Sequence, residues 1–294
     1  MMKLAFVIML TLVAAAFAQT PLAWTKILPS AAVQLRDPRS ISVSPEGLLY
    51  VADTGNQRVV AVDSAGKLVA ETGGLGDAHG QFRWPRVVIA DRGNAVWVLD
   101  YGNRRIERFT RSLEYQGTFT ITVQGSETPN QPDGMAMSPQ SDLFVYDRDD
   151  SRILRYDPLF SQQAALGNGS GLQFVSAISS MAYVPALGLS WWEHGSDQIR
   201  NADALLNPSV SINLGTVPDD LRLASSESCL LYATSSGVFQ RCSLTALSDT
   251  LVSSGDLAHA GVSRLTGLAL TPGHVLYVLD GATASVFRVN LLRE

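Results

Sequence analysis

The chain has 294 residues, 46% of them hydrophobic, and a formal net charge of −5 at pH 7. A nucleic-acid-binding domain needs a stripe of lysine and arginine, and this acidic sequence has no such stripe, so its composition argues against RNA or DNA as a partner. Beyond the N-terminal segment, no apolar run reaches the length of about 18 residues that a membrane-spanning helix requires.

The N-terminal segment has the three parts of a secretory signal peptide. Lys3 supplies a positive charge, residues 4–15 form a short apolar core, and Ala16-Phe17-Ala18 provides a small-residue cleavage site. We therefore predict a signal peptide over residues 1–18 and one mature domain over residues 19–294. The mature protein is expected to be secreted or periplasmic, with no stable membrane anchor after cleavage. An uncleaved N-terminal anchor is the alternative.

The mature chain is built from a sequence repeat. Six similar stretches each contain an aromatic anchor in a short apolar run, and the first four anchors are 47 residues apart. The six anchors are Tyr50, Trp97, Phe144, Trp191, Tyr232 and Tyr277. Twelve residues before each anchor another short apolar run begins, at Pro38, Pro85, Pro132, Ser179, Asp220 and Leu265.

A repeat of about 40 to 50 residues made of short strands is typical of a β-propeller, with one blade per repeat. The first copy predicts four strands, over residues 40–43, 48–52, 59–62 and 68–71. A single four-stranded blade cannot bury both of its faces, whereas six blades around an axis bury them against one another. The predicted fold is therefore all-β, a six-bladed propeller.

A polar constellation follows each of the first two anchors. In the first copy, Asp53, Asn56 and Arg58 lie between the second and third strands. Asp and Asn side chains hydrogen-bond nearby backbone and tolerate left-handed geometry, and Gly adopts it freely. We interpret the constellation as a device that holds the turn, with the arginine paired to the aspartate, because it recurs in the second copy.

The last repeat supplies only three strands, over residues 264–270, 274–279 and 284–291. Residues 22–28 alternate apolar and polar side chains and can supply the fourth strand. We predict that this N-terminal strand joins the last blade and closes the ring, which also removes an open sheet edge.

The two cysteines lie on either side of the fifth-blade hairpin. If Ser235 and Ser236 form its two-residue turn, Tyr232 lies opposite Phe239 and Cys229 lies opposite Cys242. Directly opposed antiparallel residues are close enough for a disulfide, and an exported protein can keep one. We predict a Cys229–Cys242 disulfide, with two buried free thiols as the alternative.

The repeats resemble the NHL-repeat family. The resemblance rests on a proline-led Ile-x-Val run, on the stretch from Tyr50 to Val59, and on Gly80, Gln81, Phe82 and Pro85 before the second blade. It is close in the first two copies, fair in the third and eroded in the others. It implies a six-bladed propeller. The family includes lyases, RNA-binding modules and protein-binding scaffolds, so it implies no single activity.

The loop rim around the channel is the predicted place for a ligand. The residue that opens each innermost strand and the residue after each turn aspartate both vary between copies, whereas the scaffold positions repeat. Arginine pairs with carboxylate or phosphate, and Trp or Tyr can stack on rings, so a small anionic or carbohydrate-like ligand or a protein would suit this rim. The candidates are Arg39, Arg86, Tyr101, Arg104, Asp133, Arg148, Trp192 and His194. An ordinary solvated rim without a ligand is the alternative.

Two adjacent tryptophans have different expected roles. Trp191 holds an anchor position, so we predict that it packs in the core. Trp192 points the opposite way along the strand and is the better candidate of the two for exposure on the rim, although we favour a contact between blades over a platform for a ligand.

An enzymatic function has weaker support in the sequence. The chain has only four histidines, and none occupies a repeated inner-strand position, so a zinc site with three histidines is not expected. We predict no cofactor and no bound metal, and a monomer that acts as a binding or scaffold module. A metal-dependent lyase or lactonase on the same propeller is the alternative.

Overall fold

A computed structural model describes residues 22–121, 130–167, 177–226, 229–243 and 248–292. Within these ranges the chain forms six four-stranded antiparallel sheets and one short α-helix. Among the described residues, no helix has the length and apolar character needed to cross a membrane. The signal peptide predicted for residues 1–18 lies outside the described residues.

The first three blades follow one another along the chain. The strands of blade one are β2 (Ser40–Val43), β3 (Leu49–Asp53), β4 (Arg58–Val62) and β5 (Leu68–Gly73). Those of blade two are β6 (Pro85–Ala90), β7 (Ala95–Asp100), β8 (Arg105–Thr110) and β9 (Tyr115–Phe119). Those of blade three are β10 (Pro132–Met137), β11 (Leu143–Asp147), β12 (Arg152–Tyr156) and β13 (Gln162–Gly167).

The second half repeats the pattern. Blade four contains β14 (Ile178–Val184), β15 (Gly188–Glu193), β16 (Gln198–Ala202) and β17 (Pro208–Asn213). Blade five contains β18 (Arg222–Ser225), β19 (Leu230–Thr234), β20 (Gly237–Arg241) and β21 (Asp249–Ser253), followed by helix α1 (Ser254–Ala260). Blade six contains β22 (Leu265–Leu270), β23 (Val275–Asp280), β24 (Ser285–Asn290) and the N-terminal β1 (Trp24–Leu28).

The first strands of the six blades form a closed inner ring. Strands β2, β6, β10, β14, β18 and β22 contact one another in this order, and β22 contacts β2 again. This arrangement is a six-bladed β-propeller with a central channel, so the predicted fold is confirmed.

The core lies between the blades rather than at the axis. Six clusters of buried hydrophobic residues occur, one at each interface between successive blades. The aromatic anchors contribute directly: the ring of Phe144 in blade three stacks on Tyr183 of blade four, with centroids 5.2 Å apart. The repeated apolar runs of the sequence are therefore the surfaces that hold neighbouring blades together.

The N-terminal strand closes the ring as predicted. Strand β1 pairs antiparallel with β24, with Trp24 opposite Val289 and Lys26 opposite Phe287. Leu28 is completely buried in the cluster between blades six and one. The first and last parts of the described chain thus share one blade.

The turn constellation is structural, in agreement with its repetition. The carboxylate of Asp53, which is fully buried, accepts hydrogen bonds from the backbone N–H of Arg36 (2.7 Å), from Asn56 Nδ2 (2.8 Å) and from Arg58 Nε (2.8 Å). The left-handed residue of this turn is Gln57 (φ 56°) rather than an asparagine or glycine.

The glycine of this turn serves a close approach instead. A Cβ on Gly55 would lie 2.6 Å from the carbonyl oxygen of Arg36, so a side chain cannot fit there. Glycine is therefore required in this turn because there is no space for a side chain, and not because the backbone there is left-handed.

The fifth-blade hairpin has the predicted register. Tyr232 lies opposite Phe239, and their rings stack with centroids 5.1 Å apart. Cys229 and Cys242 form a disulfide at the base of the hairpin. A disulfide that persists indicates an oxidising compartment.

Candidate functional site

Four of the six inner strands, β6, β10, β14 and β22, begin with a register shift next to the channel mouth. In β6, Pro85 pairs with Asp100 and Val87 with Leu99, so Arg86 is the extra residue of a β-bulge. A bulge redirects the side chain that it carries. The same register shift makes Asp133 the bulge residue in blade three, Ser179 in blade four and Thr266 in blade six. Three of the six variable positions at the start of the inner strands, Arg86, Asp133 and Thr266, are therefore bulge positions.

Four of the predicted rim residues form one cluster across blades two and three. Arg86 forms an ion pair with Asp133, and its guanidinium carbon lies 3.4 Å from the ring centroid of Tyr101, a cation–π stack. Arg148 donates to the Tyr101 hydroxyl (2.9 Å) and approaches the second oxygen of Asp133 at 3.4 Å. The two arginines thus hold one carboxylate from both sides.

Burial dominates the electrostatics of Asp133. Desolvation raises the pKa of this carboxyl above its ordinary value, and the neighbouring charges of Arg86 and Arg148 oppose the shift without cancelling it. Its side chain is 13% exposed, compared with 55% for Arg148. The buried Asp133 therefore holds both arginines in position, while Arg148 remains accessible from solvent.

A cavity of about 310 Å³ opens beside this cluster. All six inner strands, or the residues just before them, contribute to its walls, so it is the mouth of the central channel. Its charged lining residues are Arg39, Arg86, Arg222, Arg264, Asp37, Asp133 and Asp220. Four guanidinium groups and three carboxylates leave the mouth with one excess positive charge, in a protein whose net charge is negative.

The other arginines of the mouth also have carboxylate neighbours. Arg39 forms an ion pair with Asp37 (3.1 Å), which Arg264 approaches at 3.7 Å. Arg222 forms an ion pair with Asp220. Arg39 and Arg264 keep side-chain exposures of 49% and 56%, so their guanidinium groups can still reach a ligand in the mouth.

The arginines that line the mouth come from four successive blades of the ring. Blades five, six, one and two follow one another around the axis, and they carry Arg222, Arg264, Arg39 and Arg86. Blades three and four contribute Asp133 and the hydroxyl-bearing Ser179 and Ser180. Asp37 and Asp220 lie among these arginines, so the four blades carry two excess positive charges and the other two carry one negative charge. A negatively charged group would therefore be attracted to the part of the mouth that blades five, six, one and two form.

Two further predicted residues lie on the rim but do not line the cavity. Arg104 forms an ion pair with Asp149 (2.7 Å) and has the left-handed backbone of a turn (φ 54°). His194 is exposed and contacts the edge of Trp192, with ring centroids 5.7 Å apart.

The expectation that Trp192 is exposed on the rim is wrong. Its side chain is fully buried in the cluster between blades four and five, and its indole N–H donates to the carbonyl of Ser196 (2.9 Å). Both faces of a middle strand in a blade pack against neighbouring blades, so alternation along the strand does not bring a residue to solvent. Trp191 is buried as predicted, and its indole donates to Glu193 (3.2 Å).

Sequence reasoning missed Arg222, Arg264 and Asp37. In blade five the inner strand begins at Arg222, whereas the repeat register pointed to Leu221, which is fully buried. In this blade the anchor Tyr232 pairs with Leu223, nine residues before it, whereas Tyr50 pairs with Ser42, eight residues before it, so the register of the inner strand differs by one residue. Arg264 and Asp37 precede their strands, at a position that the repeat does not mark. A search for arginine just before each apolar run would have found Arg264.

The opposite end of the channel holds a second cavity of about 250 Å³. None of the described histidines lines either cavity. His79, for example, stacks on Tyr115 on the flank of blade two, with ring centroids 4.4 Å apart. Among the described residues, no group of three or more His, Cys, Asp or Glu is arranged to hold a metal ion.

The geometry defines a class of protein: a β-propeller with a polarised, arginine-rich channel mouth. The family model of the NHL repeat matches residues 35–62, which include the first three strands of blade one. The chain is thus a six-bladed β-propeller in which residues 35–62 match the NHL repeat. A comparison with curated proteins found no significant match.

Solved structures of other propellers are similar in fold. A catalytically inactive virginiamycin B lyase from Staphylococcus aureus, crystallised with quinupristin, has 10% identity and a TM-score of 0.62 over 92% of this chain and 99% of the lyase. A candidate exported protein of Bacteroides fragilis has 10% identity and a TM-score of 0.62 over 92% and 95% of the two chains. The WD40 repeats of RRP9 have 11% identity and a TM-score of 0.62 over 92% and 99%. Identities this low show the fold alone.

Proposed function

We infer that the protein is a binding module that holds a small anionic ligand at the channel mouth. The observation that supports this most directly is the cavity of about 310 Å³, which is lined from four successive blades by Arg39, Arg86, Arg222 and Arg264 and has one excess positive charge. Hydrogen bonds from arginine to carboxylate or phosphate are charge-assisted and directional. The ion pair with Asp133 and the stack on Tyr101 hold Arg86 in place before a ligand arrives, which lowers the entropic cost of binding.

Calorimetric titration tests this function with citrate and inorganic phosphate as anionic probes and glucose as a neutral one. We expect the anions to bind, with an affinity that falls as salt is added, because exposed charges are screened. The double variant Arg222→Gln and Arg264→Gln should weaken citrate binding by about tenfold or more, since hydrogen bonds to charged groups contribute about 1.5–3 kcal/mol each.

A matched control removes positive charge elsewhere. Lys67 is exposed in the turn between β4 and β5, outside the cavity lining, so Lys67→Gln should leave citrate binding unchanged. Equal losses in the control and in the arginine variants would show a diffuse charge effect. Binding of glucose but not of the anions would favour a carbohydrate ligand and contradict the proposal.

The proposed place of action is outside the cytosol, in the secreted or periplasmic fraction. The disulfide supports this proposal, because such bonds are rare in reducing compartments. N-terminal sequencing of the mature protein should begin at Gln19, and an intact Met1 would contradict cleavage. The lyase or lactonase alternative stays a hypothesis, and about one tightly held metal ion per purified chain would favour it.

A further inference from the structure

Trp84 is an exposed tryptophan just before the inner strand of blade two. It is 54% exposed, whereas Trp97, Trp191 and Trp192 are buried and Trp24 is half-buried. A tryptophan stabilises a fold mainly by removing its large apolar surface from water, so Trp84 contributes less to the core than the others do. About half of its surface is open to a partner.

The backbone of Trp84 has a conformation that a bulky residue rarely adopts. Its φ is 59°, in the left-handed region. Its N–H donates to Gln57 Oε1 (2.6 Å). The preceding residue, Arg83, is also held, because its carbonyl accepts the N–H of Gly102 (2.6 Å). Such outliers cost stability and cluster at functional sites. Trp84 is therefore a candidate for contact with a ligand.

The equivalent residue of blade one lines the channel mouth. Asp37 and Trp84 each precede the proline that opens a repeat, and both have a left-handed backbone (φ 42° and 59°). The residues before them, Arg36 and Arg83, each donate a backbone N–H at 2.7 Å to the buried turn aspartate of their blade. Asp37 lines the cavity of about 310 Å³. Trp84 lies at the matching place in blade two, with its Cα within about 7 Å of that of the lining residue Arg86.

The cavity is lined by groups that suit hydroxyls as well as carboxylates. Besides its four arginines it contains the side chains of Asp37, Asp133, Asp220, Ser40, Ser179 and Ser180. A carboxylate accepts a hydrogen bond from a ligand hydroxyl, and a serine hydroxyl donates or accepts one. A ligand that carries both a carboxylate and several hydroxyls uses this lining more fully than a flat aromatic acid does.

We propose that the ligand is an acidic oligosaccharide, a chain of uronic acids, with one sugar in the mouth and the next sugar stacked on Trp84. This inference rests on the proposed function, because it assigns the chemical class of the anion held there. The first sugar presents its carboxylate to the arginines and its hydroxyls to the aspartates and serines.

Two sugars are needed because Trp84 borders the cavity without being part of its wall. The second sugar lays the apolar C–H face of its ring on the indole, which offers a large flat apolar surface. Arg83, the neighbour of Trp84 in the chain, is also exposed and provides a positive charge for the second carboxylate. No covalent step is involved.

Calorimetric titration of the mature protein with galacturonate and digalacturonate, at one ionic strength, tests the inference. Stacking that removes roughly 60 Å² of apolar surface from water tightens binding by about tenfold. Digalacturonate should therefore bind at least about tenfold tighter than galacturonate. Galactobiose, the uncharged counterpart of digalacturonate, should bind more weakly than digalacturonate.

Tryptophan fluorescence provides a second readout. Trp84 is the most exposed of the five tryptophans, so the neutral quencher acrylamide should reach it most easily. Digalacturonate should protect the fluorescence from acrylamide, and galacturonate should protect it less, because only the longer ligand covers the indole.

Trp84→Gly separates a role in binding from a role in packing. Glycine suits the left-handed backbone, so this variant should keep or raise the melting temperature. It should lower the ratio of digalacturonate to galacturonate affinity by about tenfold and abolish the fluorescence protection. The matched control is Val217→Ala, at a residue that is 57% exposed and also precedes a proline, in the loop before blade five. Blade five lies opposite blade two in the ring, so the control should keep the wild-type ratio.

The outcomes separate this inference from the proposed function. Citrate binding with no gain from galacturonate to digalacturonate would overturn the oligosaccharide and leave the anion site intact. Absence of binding for citrate and for both uronates would overturn both. A gain that Trp84→Gly retains would place the second sugar elsewhere and overturn the inference. Tighter binding of indoleacetate than of digalacturonate would replace the saccharide by an aromatic anion.

Discussion

At the scale of single residues, buried carboxylates organise the rim. Asp53, Asp100 and Asp147 are all fully buried, and each receives an arginine from the following strand. Burial alone would disfavour a carboxylate, so these groups depend on their partners. Asp133 follows the same principle on the channel side, where its partners come from blade two and from its own blade. The turn aspartates and Asp133 at the channel mouth are therefore stabilised in the same way, by pairing a buried carboxylate with arginine.

The first residue-scale prediction concerns Asp100. Its carboxylate accepts hydrogen bonds from the backbone of Arg83 (2.7 Å) and from Arg105 Nε (3.0 Å), and the Arg105 side chain is only 9% exposed. Asp100→Ala would leave a buried guanidinium without this partner and should destabilise the protein by about 3 kcal/mol. Urea denaturation measures the change. Glu71→Ala, which removes a half-exposed partner of Arg58, should cost less than about 1 kcal/mol.

The second residue-scale prediction concerns pH. Burial raises the pKa of Glu107 to about 7 from an ordinary 4.5, against the opposing charge of Arg105. The folded protein therefore holds a proton on this carboxyl in a pH range where the unfolded chain has released it. The resulting stabilisation is complete below about pH 4.5 and is lost as the pH rises through about 7.

Glu107→Gln removes this titration. Between pH 5 and pH 7.5 the unfolding free energy of the wild type should fall relative to that of the variant, as measured by urea denaturation across the range. Glu114→Gln, at an exposed glutamate of the same blade, should keep the wild-type slope. Parallel curves for Glu107→Gln and the wild type would refute the assignment.

At the scale of elements, the weakest copy of the repeat is the one with a covalent link. Blade five lacks the turn constellation, and its hairpin is held by the disulfide across 13 residues and by the Tyr232–Phe239 stack. The link compensates for the polar contacts that the first three blades make at their turns. The same blade shifts the register of its inner strand and brings Arg222 to the mouth.

The element-scale prediction follows from this compensation. Replacing both cysteines, as Cys229→Ser with Cys242→Ser, should lower the unfolding free energy by about 2–4 kcal/mol, because the unfolded chain gains freedom. Chemical denaturation measures this loss. Dithiothreitol should destabilise the wild type similarly and leave the double variant unaffected, whereas sensitivity of the variant to dithiothreitol would contradict the assignment.

At the scale of the whole molecule, the ring holds only if blade six is complete. Strand β1 supplies its outer edge, and Leu28 fills the interface with blade one. Deleting residues 19–30 should therefore lower the melting temperature of the whole domain in one cooperative transition, measurable by calorimetry. An unchanged melting temperature would contradict ring closure as a source of stability.

Point variants in β1 sharpen this whole-molecule prediction. Leu28→Ala should cost about 2–5 kcal/mol, as buried leucines do, whereas Thr25→Ala, at an exposed position of the same strand, should cost less than about 0.5 kcal/mol. Equal effects of the two variants would show that strand pairing rather than burial of the β1 side chains stabilises the ring.

The propeller, the closing strand and the disulfide could all be predicted from the amino-acid sequence. These features depend on signals that recur or lie close together in the chain: the spacing of Tyr50, Trp97 and Phe144, the missing strand of the last repeat, and the two cysteines around one hairpin. Such local signals can be recognised because every blade must pack against its neighbours in the same way, so similar residues recur at the same positions in each copy.

The arrangement of the candidate site could not be predicted from the sequence, because it depends on contacts between blades. The burial of Trp192 depends on a neighbouring blade, and the stack of Arg86 on Tyr101 depends on a bulge that the spacing does not reveal. Arg222 and Arg264 reach the mouth because the ring brings separate blades together at the axis. Distances between residues far apart in the chain are set by how the blades pack, and no local pattern in the sequence encodes them.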